Sequence, residues 1–197
     1  VTGNAVVPNG QHGVFIDGAA GNFIGGANPV GSDGDLDLSF GSGSGRVSFS
    51  NNVNNVQETA YAVVEQPDGK LVVAGQSYQG VPGAGGFQVA ALLRFNADGS
   101  IDTSFGGGDG LVTATSMDRF TSVTLQSDGK IVVSGRGGSG IAVDGTFAVA
   151  RFNSNGTIDS TFAGDGAFSV EIGTSFNDLA EAVEILPDGK ILASGFT

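Results

Sequence analysis

The chain has 197 residues, of which 35 are glycine and none is cysteine or tryptophan. Acidic and basic side chains number 20 and 8, so the formal net charge is −12, and such a chain cannot neutralise a run of phosphates, which predicts no binding to nucleic acid. The absence of cysteine excludes a disulfide framework, a zinc–thiolate site and a thiol nucleophile, and a hydrophobic fraction of 40% excludes intrinsic disorder.

Residues 1–31 differ in character from the rest of the chain. Short strings rich in glycine and asparagine occur at Asn9–Gly18 and Gly21–Gly26. These strings resemble one coil of a right-handed parallel β-helix, which implies a β-helix-like or extended N-terminal segment. One such coil cannot bury its own core, because solenoid units need stacked neighbours.

From residue 32 onward the sequence repeats with a spacing of sixty residues, which is the mark of a repeat architecture. Asp68 recurs as Asp128 and Asp188, and the differences 128 − 68 and 188 − 128 are both 60. Three markers recur in the same cyclic order, which leaves little room for coincidence. The copies lie near residues 36–100, 101–157 and 158–197, and the third is truncated. The markers are Gln66–Gly75, Gln126–Gly135 and Leu186–Gly195; Leu36–Phe40, Ile101–Phe105 and Ile158–Phe162; and Phe87–Asn96 and Phe147–Asn153.

Each copy predicts antiparallel β structure. Asp-Gly between two apolar segments is a strong hairpin signal, and it predicts a type I′ turn, in which both central residues have positive φ. Four strands in about 60 residues make a unit the size of a propeller blade. The run Ala180–Leu186 also fits a short helix, but its match to Tyr61–Gln66 favours a strand. The predicted strands are Tyr61–Gln66, Lys70–Ser77, Phe87–Asn96, Leu111–Ser116, Thr121–Gln126, Lys130–Gly135, Phe147–Asn153, Ala167–Ile172 and Ala180–Leu186.

The motifs Leu-Asp-x-Ser-Phe-Gly, Gln-Pro-Asp-Gly-Lys and Phe-x-Val-Ala-Arg-Phe-Asn together resemble the delta-60 repeat, a bacterial repeat grouped with β-propeller blades. The resemblance covers residues 33–197. It implies an all-β fold with propeller-like blades of four antiparallel strands over residues 32–197, in about 2.5 to 3 repeats. It also implies a large secreted or surface-attached bacterial protein, without an established biochemical activity.

The third copy predicts only two strands, and a blade left in that form exposes a sheet edge, which natural proteins avoid. Three arrangements would complete it. In the preferred one, the native chain continues into more blades. In the second, Phe23–Gly34 supplies a strand, because it precedes Leu36 much as Phe87–Gly99 precedes Ile101. In the third, another subunit closes the ring, since propellers typically have about 4–8 blades.

Carboxylates at alternate positions in residues 33–37 are typical of calcium loops. Counting from Asp33, however, EF-hand positions six and twelve hold leucine and serine rather than glycine and glutamate, so that motif fails. The loops Asn96–Asp102 and Asn153–Asp159 fit turns in which Asx side chains accept from nearby backbone N–H groups. We expect structural turns, with calcium as the one cofactor that these loops suggest. The candidate calcium ligands are Asp33, Asp35, Asp37, Asp98, Asp102 and Asp159.

Most of the basic side chains occupy positions fixed by the repeat. Arg94 and Arg151 lie inside apolar strands, where an unpaired charge is costly. We expect each to form a structural ion pair with a repeated carboxylate such as Asp102 or Asp159. The repeated phenylalanines, Phe40, Phe105, Phe162, Phe95 and Phe152, are predicted to form the core between blades. The repeat-fixed cations are Lys70, Lys130, Lys190, Arg94 and Arg151, whereas Arg46, Arg119 and Arg136 lie outside the pattern.

The sequence predicts no catalytic constellation. His12 is the only histidine, and no residue pattern marks partners for a zinc site or a Ser-His-Asp triad. The apolar runs are short and broken by Asp and Gly, so no membrane insertion is expected. We therefore expect a non-catalytic extracellular structural or interaction module of a bacterial secreted or cell-surface protein. Its partners would be proteins, or other blades of the same or a neighbouring chain. The alternative is a calcium- or glycan-binding propeller module with sites in the Asp/Gly-rich loops.

Overall fold

A computed structural model of the chain describes residues 22–25, 38–49, 58–80, 86–138, 145–173 and 177–197. In these ranges every regular element is a β-strand, and none of them contains a helix that is long and apolar enough to cross a membrane. The strands are β1 (Asn22–Gly25), β2 (Arg46–Phe49), β3 (Thr59–Glu65), β4 (Leu71–Gly80), β5 (Gly86–Phe95), β6 (Leu111–Ala114), β7 (Met117–Leu125), β8 (Ile131–Gly137), β9 (Thr146–Phe152), β10 (Ala167–Val170), β11 (Leu179–Ile185) and β12 (Ile191–Phe196).

Two complete four-stranded sheets follow one another along the chain. Strands β3 to β6 form blade one and strands β7 to β10 form blade two, and in each sheet every strand pairs antiparallel with the next. The predicted fold class, an all-β chain with four-stranded antiparallel blades, is therefore confirmed. Strand bounds agree closely with the prediction; the predicted strand Phe87–Asn96, for example, is Gly86–Phe95.

Two half-blades flank the complete blades. Strands β11 and β12 form a C-terminal half-blade, whose bulge at Ala180/Ala182 matches the bulge at Ala60/Ala62 between β3 and β4. Strands β1 and β2 form an N-terminal half-blade. Strand β2 follows Phe40 as β6 follows Phe105, so β1 and β2 hold the positions of the third and fourth strands. The segment Phe23–Gly34 was predicted to complete the third copy. Its residues Phe23–Gly25 lie in β1, which pairs with β2 rather than with a described strand of the third copy, and residues 26–34 lie outside the described residues. Residues 1–21 lie outside them too, and the β-helix resemblance stays a prediction.

The Asp-Gly hairpins form, but their turn type differs from the prediction. The Gln66 N–H donates to the Lys70 carbonyl, and the Gly69 N–H donates to the Gln66 carbonyl at 2.9 Å. The loop therefore has three residues rather than two. Gly69 has a φ of +82°, whereas among the described non-glycine residues only Ser42 and Ala163 have positive φ. The predicted type I′ turn is wrong, because Pro67 adds a third loop residue and only the closing glycine is left-handed.

The ten-residue motif that contains Asp-Gly-Lys ends in a glycine in every copy, because the backbones of two paired strands approach closely at that position. Gly75 of β4 lies opposite the bulge in β3, and a Cβ on it would overlap the Thr59 carbonyl oxygen. The same overlap would occur at Gly135 with Arg119 and at Gly195 with Leu179. The bulge therefore explains a glycine that recurs in all three copies.

Apolar cores lie between consecutive blades. Strand β7 of blade two packs across β3, β4 and β5 of blade one, and β11 packs in the same way on β7, β8 and β9. Phe40 and Phe95 are buried in the core between β2 and blade one, whereas Phe162 is half-buried against the C-terminal half-blade. The prediction that the repeated phenylalanines form an inter-blade core is confirmed. The core between blades one and two contains Val72, Leu92, Phe105, Met117, Phe120, Ile131, Val133 and Phe152.

Candidate functional site: a repeated ionic cluster between blades

A buried carboxylate in blade one holds two cations. Asp102, in the turn after β5, accepts from Arg94 Nε at 2.8 Å and from Lys70 Nζ at 2.8 Å through the same oxygen, Oδ2. Its other oxygen accepts from the backbone N–H of Ser104 at 3.0 Å and from the Ser104 hydroxyl at 2.6 Å. Arg94 also donates to the Gln66 side chain. Both oxygens of the carboxylate are thus engaged by donors.

Blade two contains the same cluster at the repeated positions. Arg151 Nε lies 2.8 Å and Lys130 Nζ lies 2.9 Å from Oδ2 of Asp159, and Thr161 takes the place of Ser104. The predicted pairing of each strand arginine with a repeated aspartate is confirmed. The lysines were not predicted to take part, although their fixed place after each Asp-Gly turn was a signal. Lys190, the third of them, pairs with Asp188 within its own turn at 2.5 Å.

The cluster of blade one also reaches the next blade. Arg94 Nη1 donates to the Ser154 carbonyl oxygen at 2.7 Å, and the Arg94 guanidinium lies 4.5 Å from the centre of the Phe105 ring. Beside it, the Gly106 N–H donates to the Asn155 carbonyl at 3.1 Å. An equivalent bond from Gly41 to the Asp98 carbonyl, at 2.9 Å, joins the N-terminal half-blade to blade one. The cluster of blade one and the backbone bond beside it therefore fasten blade one to the turn of blade two.

The electrostatics of the clusters favour the ionised carboxylates. Burial of Asp102 raises its pKa, but the hydrogen bonds from Lys70 and Ser104 and the charge of Arg94 outweigh it and hold the pKa well below its usual range. For Asp159, the hydrogen bonds from Thr161 and Lys130 lower the pKa in the same way. Both carboxylates are thus weak bases and are unsuited to accept a proton near neutral pH.

We expect stability to fall in acid because of these two carboxylates. A carboxyl whose pKa is lower in the folded than in the unfolded chain stabilises the fold above the unfolded pKa, about 3.9, and loses that effect as the pH falls toward the folded value. Thermal unfolding followed between pH 6 and pH 2 should show the melting temperature dropping below about pH 4. In Asp102→Asn, the deficit relative to the native chain should shrink over the same interval. A deficit that stays constant with pH would contradict the assignment.

The candidate calcium ligands do not converge in the described residues. Asp98 is exposed and accepts from the N–H and hydroxyl of Ser100 at 2.9 and 2.6 Å, as an Asx turn does. Asp102 and Asp159 already hold cationic side chains. Across the described ranges, no group of three or more histidine, cysteine or acidic side chains is placed to hold a metal ion. Asp33, Asp35 and Asp37 lie outside those ranges, so calcium binding there stays the alternative to the structural turns that the sequence predicts.

Thermal unfolding with calcium and with a chelator distinguishes the predicted structural turns from the calcium alternative. We expect equal melting temperatures, because the two buried carboxylates are neutralised by arginine and lysine rather than by a metal ion. A ligand that binds the folded chain at a hundred times its Kd would stabilise it by about 2.7 kcal/mol. A clear upward shift in calcium would therefore establish the alternative, with Asp33→Asn and Asp37→Asn as the first variants to examine.

A second polar cluster occurs in blade two without a copy in blade one. Arg119 and Arg136 lie directly opposite each other on β7 and β8. Arg136 Nη1 donates to Asp118 Oδ2 at 3.0 Å, and Arg119 Nε lies 3.9 Å from Asp118 Oδ1. Burial raises the pKa of Asp118 despite the two arginines. Among the described residues, Oδ1 of Asp118 and the Nε atoms of both arginines are buried without a hydrogen-bond partner.

The sequence indicated only part of this second cluster. The sixty-residue register marks Arg119 and Arg136 as cations outside the repeat. A regular hairpin would place Phe120 opposite Arg136, and only the β-bulge between Phe120 and Ser122 brings Arg119 to that position. In the other copies Glu58 accepts from Ser77, and Asp178 accepts from the Ile172 N–H. The arrangement places one carboxylate between the two guanidinium groups of one hairpin, which leaves the cluster with a formal charge of +1. Its described side chains include no nucleophile paired with a base.

Comparison with known proteins agrees with the repeat. The model of a family described as a domain of unknown function (DUF5122), β-propeller, matches residues 66–105 and 126–162. Each matched segment runs from the Asp-Gly hairpin to the phenylalanine beside the ionic cluster, and so contains the second and third strands of a blade. No curated protein matches the chain. The repeated sequence, the two four-stranded blades and the matched family model together identify the chain as a repeat protein of the β-propeller type.

Proposed function

We propose that the chain is a non-catalytic structural and interaction module of a secreted or cell-surface bacterial protein, and that its repeats are of the delta-60 type. The observation that carries the proposal is the use made of the charged side chains. The Arg–Asp–Lys cluster occurs in the same form in both blades, and in blade one it extends to the neighbouring turn. A feature copied from blade to blade serves the scaffold, because a unique site would not be repeated.

The composition supports the proposed setting. A chain without cysteine does not depend on the redox state of its compartment, and a net charge of −12 favours solubility over association with anionic surfaces. The scaffold would present the Asp/Gly turns at the ends of the blades, such as Pro67–Gly69 and Pro187–Gly189, to partner proteins.

Surface digestion of intact cells tests the localisation. Cells that produce the protein from its own gene would be treated with a protease that cannot enter them, and the protein would be detected by antibody. We expect loss of the protein from intact cells, while a cytoplasmic marker survives. Protection in intact cells combined with digestion in lysed cells would overturn the surface assignment.

A further inference from the structure

Blade two contains one polar cluster that blade one does not copy, formed by Asp118, Arg119 and Arg136. The two arginines pair across β7 and β8, and their counterparts sixty residues earlier, Thr59 and Gln76, pair across β3 and β4 without any charge. A feature repeated in both blades serves the scaffold. A cluster found in only one of the described blades is therefore the place to look for a unique role.

The backbone of β7 is adapted to this cluster. In the β7–β8 pair the register shifts twice, between Met117 and Arg119 and between Phe120 and Ser122. The described β3–β4 and β11–β12 pairs shift only once, at the position equivalent to the second shift. The additional shift makes Asp118 an extra residue in the ladder. Such β-bulges redirect side chains and are frequent beside functional sites.

The carboxylate of the cluster is bound by one of its two arginines. Asp118 Oδ2 accepts from Arg136 Nη1 at 3.0 Å, whereas Arg119 Nε lies 3.9 Å from Asp118 Oδ1, which is too far for a hydrogen bond. Arg136 Nη2 also donates to Asn177 Oδ1 at 3.4 Å. Arg119 Nε and Asp118 Oδ1 are buried without a partner. Among the described residues, Arg119 is thus the member of the cluster whose guanidinium has no hydrogen-bond acceptor.

The charge of this cluster is unbalanced, in contrast to the repeated clusters. Each repeated cluster has two cations and two carboxylates, because Asp68 lies 3.9 Å from Lys70 and Asp128 lies 3.9 Å from Lys130. Here two arginines share one carboxylate. The Arg119 side chain is 33% exposed, and of its guanidinium nitrogens only Nε is both buried and unpartnered. The other two nitrogens are therefore open to an acceptor from outside the chain.

A carboxylate is the acceptor that fits Arg119 best. The guanidinium presents paired N–H donors in a plane, which match the two oxygens of a carboxylate. One excess positive charge suits a single negative charge. A polyanion is disfavoured, because the chain as a whole has a net charge of −12 and would repel it.

The surroundings favour a carboxylate that belongs to a protein. A small free acid binds in a concave pocket that encloses most of its surface. The apolar pocket described on blade one lies beside Val73 and Leu93, and none of the three cluster residues lines it. Arginine is enriched among the few residues that dominate the affinity of protein interfaces, where neighbouring contacts hold the partner in place.

We propose that Arg119 binds an aspartate or glutamate carboxylate of a partner protein at the end of blade two where β7 begins. Arg136 engages the Asp118 carboxylate and so leaves the Arg119 guanidinium to the partner. The inference rests on the proposed function as an interaction module but not on the cellular location. The surface digestion and the titration below therefore fail independently of each other.

Titration with two blocked tripeptides tests the need for a carboxylate. N-acetyl-Gly-Asp-Gly-amide has one carboxylate, and N-acetyl-Gly-Asn-Gly-amide has the same size without the charge. In proton–nitrogen spectra of the native chain, the Asp peptide should shift the Arg119 side-chain signals to saturation, with a dissociation constant on the order of 1–10 mM. The Asn peptide should not shift them. Equal shifts from the two peptides, or no shift from the Asp peptide, would overturn the proposal.

Two arginine variants test the assignment to Arg119. Arg119→Gln should abolish binding of the Asp peptide, as followed through the backbone amides of β7 and β8. The matched control is Arg46→Gln, because Arg46 is exposed and also lies outside the repeat pattern. It should bind as the native chain does. Native affinity in Arg119→Gln, or loss of binding in Arg46→Gln, would contradict the assignment.

Asp118→Asn gives a readout that a merely structural cluster would not produce. The variant removes the internal carboxylate that competes for Arg119. The Asp peptide should therefore bind about twofold to fivefold more tightly, which is the effect of a partly exposed ion pair. Unchanged or weaker binding in a variant whose spectrum is otherwise native would count against the proposal.

Sodium acetate separates a free acid from a protein side chain. Acetate has the same carboxylate without a peptide around it. At equal ionic strength, the Asp peptide should bind at least as tightly as acetate, because the peptide adds contacts beside Arg119. Tighter binding of acetate would assign the site to a free acid and overturn the partner protein.

Discussion

Replacing Phe105 with alanine should destabilise the chain by about 4 kcal/mol, within the range of large-to-small changes at fully buried phenylalanines. The Phe105 ring is 0% exposed and lies under the Arg94 guanidinium. It also touches the turn of blade two so closely that a Cβ on Gly156 would lie 2.8 Å from the ring. Little room exists for the surroundings to collapse into the cavity. Urea unfolding followed by circular dichroism would measure the change.

Phe162→Ala is the matched control for this prediction. Phe162 holds the same position one repeat later and lies under Arg151 at 5.0 Å, but it is half-buried because no described turn follows it. We expect about half the loss found for Phe105. Equal losses would show that the contact with the next turn contributes nothing.

Replacing Arg94 with methionine should lower the free energy of unfolding by about 3 kcal/mol, because removing one partner of a buried ion pair leaves charge uncompensated. Arg94 is buried, pairs with Asp102 and donates to the Ser154 carbonyl of blade two. Lys70 remains beside the carboxylate, which keeps the expected loss at the lower end of the range for such pairs. Chemical unfolding of the variant measures it.

Arg151→Met separates the inter-blade bond from the ion pair. Arg151 keeps the pairing with Asp159 at 2.8 Å, but its remaining described partners are Gln126 and Thr161 within its own blade. Its side chain is 18% exposed against 8% for Arg94. A smaller loss than in Arg94→Met is therefore expected. A loss as large or larger would contradict the role of the cluster as a link between blades.

Much of this fold was predictable because equivalent residues recur in two or three copies of the repeat. One Asp-Gly pair between apolar segments predicts one hairpin, and three pairs at equal spacing predict that the hairpin recurs in every copy. The partners of Arg94 and Arg151 were predictable for the same reason: a charge inside an apolar strand needs a carboxylate, and each copy offers one at the same distance along the chain.

Other features depended on geometry that no residue pattern encodes. The turn type depended on the length of the loop. A three-residue loop pairs Gln66 with Lys70, whereas a two-residue loop would pair Pro67 with Lys70. The backbone hydrogen bonds show the three-residue loop. Lys70 joins Asp102 across 32 residues, and Arg94 joins Ser154 across 60. The placement of β1 was predictable only as one of several arrangements, because its sequence also resembles a β-helix coil.

Cross-strand nuclear Overhauser effects test the central claim most directly, namely that two complete blades lie between two half-blades among the described residues. In the native chain, backbone contacts should join Val133 to Ala150 in blade two, Val183 to Ala193 in the C-terminal half-blade and Ile24 to Val47 in the N-terminal half-blade. Contacts that pair Ile24 in parallel with residues 1–21, as in a β-helix coil, or the absence of the Ile24–Val47 contact, would contradict the account.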